Sequence, residues 1–151
     1  MHAYASNEVG GRVKTPVHLW IVAVLSLLWN LVGAFDYLAT QTKMESYMGQ
    51  FTQEQLDYFY SIPAWAVSGW AIGVWGAVVG SVGLLLRKKW AEWAFCLSLF
   101  GMAVSSIHSF LLSNGIEIMG SGAVVFSLVI WIVAIFLYVY SRKQAKAGVL
   151  T

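Results

Sequence analysis

The sequence predicts an all-α integral membrane protein, a four-helix bundle with a short amphipathic helix on its outer side between the first two spans. Three observations carry that prediction. Only 11% of the 151 residues are charged, 59% are apolar and the mean hydropathy is +0.70. Soluble domains carry about 25% charged residues, so this chain is built for a different solvent. Four runs reach the roughly 20 apolar residues that a bilayer-crossing helix requires. Those runs are continuous, whereas the strands of a membrane barrel alternate over about ten residues. The length leaves room for one domain, residues 1–151.

The first span is VHLWIVAVLSLLWNLVGAFDYLA, about residues 17–39. Within it, Val32 to Ala34 resembles a signal-peptidase site after a basic start and an apolar run. The basic region is long and the apolar run continues past that site, so the span is read as retained; cleavage would leave three spans in the same orientation. The second span, AWAVSGWAIGVWGAVVGSVGLLL, covers about residues 64–86. The third, AEWAFCLSLFGMAVSSIHSFLLS, covers about residues 91–113, and the fourth, IMGSGAVVFSLVIWIVAIFLYVY, about residues 118–140.

The connection between the first two spans is the long one. Its segment FTQEQL is a helix start, with Thr52 and Gln55 as a capping box and Phe51 and Leu56 at the staple positions. A short helix over about residues 53–61 follows, with Leu56, Phe59 and Tyr60 on one face, lying on the membrane surface or capping the bundle. Pro63 ends it. This connection is either a lid or recognition surface, or a connector anchored by its aromatics. The other connections are short, which makes spans two, three and four antiparallel neighbours. In the outer turn NGIE, Gly115 is available for positive φ. Poor order is expected for the first sixteen residues and the last ten.

Lysine and arginine set the orientation. Arg12, Lys14, Arg87, Lys88, Lys89, Arg142, Lys143 and Lys146 fall on one side, and Lys43 alone on the other with Glu45, Glu54, Asp57 and Glu117. Both termini are therefore expected in the cytoplasm, with the spans in a bacterial inner membrane. Trp65, Trp90, Trp93, Tyr138 and Tyr140 suit interfacial aromatic belts.

Gly69, Gly73, Gly76, Gly80 and Gly83 form a stripe along the second span. Glycine inside a helix costs roughly 1 kcal/mol against alanine, so such a stripe needs a packing reason. In lipid, small residues admit close backbone approach. The third span has a matching stripe of Ala94, Ser98, Gly101, Ser105 and His108, and the first has Ala23, Ser26, Asn30 and Gly33. The simplest arrangement turns these three stripes towards one another, with Trp70 and Trp75 filling space beside the glycines and the fourth span facing lipid. A homo-oligomer interface, or a seat in a larger membrane complex, is the alternative use of the glycine seam.

Ionisable and strongly polar residues inside a membrane are costly and mark candidate sites. Asn30 lies near the middle of the first span; its plain role is an interhelical hydrogen bond. Asp36 and His108 lie about 5 and 8 Å inside the outer ends of their spans. Glu117 and Asn114 start the fourth span on that side. A carboxylate beside His108 would raise its pKa and create a proton relay, and one histidine with two carboxylates can hold a divalent metal. No HxxxH or HExxH spacing occurs; His18 and His2 belong to the opposite end. No metal and no cofactor are therefore expected, and the absence of a nucleophile elbow or phosphate loop argues against an enzyme. Cys96 alone forms no internal disulfide, and the net charge of +2 implies no nucleic-acid partner. The lipid bilayer is the one partner that composition requires.

The block from Leu28 to Ala91 carries "WN" at Trp29 and Asn30, "FDY" at Phe35 to Tyr37, "FTQEQLDYF" at Phe51 to Phe59, "PAW" at Pro63 to Trp65 and "GVWGAVVGS" at Gly73 to Ser81. It resembles a family of small bacterial inner-membrane proteins often labelled sugar transporter. The resemblance covers a little under half the chain and implies a membrane protein with a role in transport. Asn30, Asp36 and Tyr37 fall inside it. Two functions then compete. The first is a small-solute or proton-linked transporter component using Asn30, Asp36, Tyr37, His108 and Glu117. The second is a non-catalytic accessory or assembly subunit using the glycine seam and the outer connection.

Overall fold

The computed structural model describes residues 13–151; residues 1–12, which include His2 and Arg12 and most of the stretch expected to lack order, lie outside the described residues. The helices are α1 (Val17–Gln41), α2 (Glu45–Met48), α3 (Gln53–Tyr60), α4 (Ala64–Leu85), α5 (Ala91–Ser106, prolonged by a π-helical turn Ile107–Leu112), α6 (Gly115–Met119) and α7 (Ser121–Lys146). α1, α4, prolonged α5 and α7 are each long and apolar enough to cross a membrane. The described residues contain no strand, and the fold is an all-α four-helix bundle.

Local chemistry explains where the helices stop. Extended Pro16 and Pro63 precede α1 and α4. Thr52 Oγ1 accepts from the Gln55 amide at 3.2 Å, and Gln55 Oε1 accepts from the Thr52 amide at 3.1 Å, so both halves of the capping box on α3 are made. α1, α4 and α7 each end in a left-handed residue, Lys43, Arg87 and Gly148. The amide after it bonds back to Ala39, Gly83 and Gln144 respectively, at 2.8–3.0 Å. This is the Schellman closure, which satisfies carbonyls that a helix end leaves unpaired.

α4 is the middle of the bundle, packed between α1 and α5, while α7 packs on α5. All five glycines of the α4 stripe face α5 and its leading turn. A Cβ on Gly101 would lie 2.5 Å from the Gly73 nitrogen and 2.6 Å from the Gly69 oxygen, so the two backbones touch. A Cβ on Gly80 would meet the Phe95 ring at 2.7 Å, and Ser98 Oγ donates to the Gly73 carbonyl at 2.5 Å. The three small stripes do not converge. α4 offers α1 a different face: Asn30 on α1 bonds to Ala77 and Ser81, and Tyr37 packs on Trp70 and Trp75. A single helix cannot turn one stripe to two neighbours on different sides. A Cβ on Gly33 would meet nothing within 4 Å. Of the four long helices, α7 has the smallest buried share.

Three sequence expectations are corrected. The fourth long helix starts at Ser121 and runs to Lys146, because Gly120 at φ 86° breaks it from α6. Positive φ therefore falls at Gly120; Gly115 is needed for space, since a Cβ there would lie 2.5 Å from the Tyr58 hydroxyl. The last ten residues are ordered. Val149 and Leu150 are buried in an apolar cluster with Leu19, Leu84, Phe95 and Leu137, and the Thr151 amide donates to the Arg87 carbonyl at 2.9 Å. The tail thus plugs the end of the bundle that carries Arg87, Lys88 and Arg142.

Candidate functional site

Small-residue packing of α4 on α5 draws two helices together and leaves space beside them. A cavity of about 590 Å³ lies among α1, α4, α5 and α7, and α2, α3 and α6 contribute to its lining at one end. That volume falls within the range of small-molecule sites, about 300–1,000 Å³. α1 meets α7 through Trp29 and Phe126, with ring centroids 6.1 Å apart, and through His18 Nδ1 and the Tyr140 hydroxyl at 2.5 Å.

Asn30 and Asp36 both line the cavity. Asn30 Nδ2 donates to the Ala77 carbonyl at 3.2 Å and to Ser81 Oγ at 2.8 Å, tying the middle of α1 to α4. Asp36 Oδ1 accepts from the Tyr47 hydroxyl at 2.5 Å, tying α1 to α2. Burial, then the hydrogen bond to Asp36 and its negative charge, push the Tyr47 phenol up to about 12. Tyr47 therefore stays a neutral donor to the carboxylate. Ser98, Ser105 and Gly73 also reach the cavity wall, while Gly69, Gly76, Gly80, Gly83 and Gly101 do not. Tyr37 is outside it, edge-on to Trp70 at 5.0 Å.

The predicted meeting of His108 with Asp36 and Glu117 does not occur. His108 stacks on Tyr58 at 6.3 Å and meets the edge of Trp65 at 5.7 Å; its Nδ1 is buried without a hydrogen bond. Asp36 is engaged by Tyr47, and Glu117 is exposed on α6. Among the described residues the one ion pair joins Arg142 to Glu92 at 3.9 Å, and no three His, Cys, Asp or Glu side chains gather as a metal site. The physical reason is the order of the helices: α4 packs between α1, which carries Asp36, and α5, which carries His108 into its π-helical extension, so His108 meets Trp65 of α4 and Tyr58 of α3 instead.

Several lining residues escaped the sequence reading. Tyr47 and Tyr58 come from the aromatic-rich connection, whose density of rings was the available signal. Ser106, Ser109 and Trp131 gave none; Trp131 Nε1 donates to Ser106 Oγ at 3.3 Å across the α5–α7 contact. The connection also contributes to the cavity wall, through Phe51 and Phe59, whose ring centroids are 5.0 Å apart. Comparison with protein-family models, with curated proteins and with solved structures finds no match.

Proposed function

We propose that this chain binds a small, largely apolar solute inside the membrane, as a component of a transport system. The observation that carries this reading is the 590 Å³ cavity, to which all four long helices contribute. Its walls are chiefly aromatic and aliphatic, with a few fixed polar groups to orient a ligand, which is the composition of a small-molecule site. A solute with an apolar body matches these chiefly apolar walls better than a sugar, which carries a hydroxyl on nearly every carbon. The transport role suggested by the family resemblance therefore stands in this proposal, and the sugar does not. Proton linkage is left out as well, since no carboxylate reaches His108. The accessory-subunit reading loses its main support because α5 already occupies the glycine seam. The concentration of basic residues at the end holding both Lys14 and Lys146 supports an inner-membrane protein with both termini cytoplasmic.

Filling the cavity tests the reading. Ala134 lines it from α7, and Ala134→Trp adds bulk there. The variant is expected to keep its helical content and lose about fivefold or more in binding of an uncharged fluorescent naphthylamine in nanodiscs, as expected when a pocket is blocked. Unchanged binding would overturn the proposal.

A further inference from the structure

The cavity carries a single carboxylate, Asp36, at one end, and this narrows the solute class; the inference rests on the solute-binding reading above. Its outer chamber is aromatic, lined by Tyr47, Phe51, Tyr58, Phe59 and Trp70, with the carboxylate of Asp36 among them. Farther in, the wall is apolar, with Trp131, Val133, Ala134 and Leu137 on α7 and Phe95 on α5. From Ala123 to Leu137 that wall rises about 21 Å at 1.5 Å per residue.

Asp36 is half-buried in this surround, and its hydrogen-bond partner is the neutral Tyr47 hydroxyl on Oδ1. Among the described residues no lysine, arginine or histidine forms an ion pair with it. A carboxylate drawn into apolar surroundings is costly unless a cation compensates it. Ring faces attract the same charge, by about 2 kcal/mol when the cation is desolvated. A carboxylate and a set of aromatic rings at one end of an elongated apolar cavity thus select for positive charge at one end of an apolar molecule. We propose that the solute is a lipophilic organic cation, a quaternary or protonated amine held by Asp36 and the surrounding rings with its apolar body along the inner wall.

Octyltrimethylammonium, whose charge does not titrate, and 1-octanol, which has the same chain without charge, make a matched pair of probes. Each is titrated calorimetrically into the full chain in lipid nanodiscs, with empty nanodiscs as the blank. The cation is expected to bind saturably and about tenfold or more tighter than the alcohol, and Asp36→Asn to remove that difference while octanol still binds. A cation preference that survives in folded Asp36→Asn overturns the role of Asp36. Equal affinity of the two probes for the wild type overturns the cation proposal and leaves solute binding standing. Binding of neither overturns both. The wild-type comparison decides the matter even if the variant does not fold.

Discussion

At the scale of single residues, two glycines in similar sequence settings have opposite meanings. Gly33 and Gly101 both sit in small-residue stripes, yet a Cβ on Gly33 meets open space and one on Gly101 meets backbone at 2.5 Å. Gly33→Ala is expected to stabilise by up to about 1 kcal/mol through helix propensity alone. Gly101→Ala is expected to destabilise by about 1–3 kcal/mol, because α5 must move away from α4. Denaturation midpoints in detergent check both signs. Tyr47 gives a pH signature. Its folded pKa of about 12 lies above the ordinary 10, so folding favours the protonated phenol. Burial of the phenol first, and its hydrogen bond to Asp36 second, thus tie folding to the protonated form, and that stability is whole below pH 10 and is lost as pH rises from about 10 towards 12. Over that window wild-type thermal stability is expected to fall more than that of Tyr47→Phe; parallel curves would exclude the buried Tyr47 hydroxyl as a source of the pH dependence.

At the scale of elements, the C-terminal segment is the clearest departure from expectation. Polar and basic residues after Tyr140 read as a solvated tail, but Val149 and Leu150 are 7% and 1% exposed. Leu150→Ala is expected to cost about 2 kcal/mol or more, as for other buried leucines. Chemical unfolding of the full-length variant measures it, and a cost near zero would mean that the buried tail contributes little. The four spans were legible because hydrocarbon imposes a length and a polarity that a linear sequence displays. The start of α3 was legible because its cap is made by residues three apart. The π-helical turn at Ile107–Leu112 was not, since nothing in IHSFLL departs from an α-helical pattern. The predicted grouping of His108 with Asp36 failed for a different reason, the placement of α4 between α1 and α5, which no local pattern displays. The site was therefore half-legible: Asn30 and Asp36 declared themselves as polar residues in a span, whereas Ser106, Ser109 and Trp131 acquire significance only from their neighbours in space.

At the scale of the whole molecule, cavity and seam are two sides of one arrangement. α4 and α5 are drawn to backbone contact along the glycines, and the bulkier α1 and α7 stand against this pair without closing the remaining space. The seam also joins the two long helices with the shortest link, residues 86–90. Closing such a link costs little chain entropy, whereas α1 must find α4 across the connection holding α2 and α3. Assembly is thus expected to run in a fixed order, with the α4–α5 hairpin early and the walls from α1 and α7 late. In refolding from denaturing detergent, Gly101→Ala should slow folding, while Leu137→Ala should chiefly speed unfolding. A refolding chain would then possess its helix pair before it possesses anywhere to hold a guest, and competence to bind would arrive only with the last helices to dock.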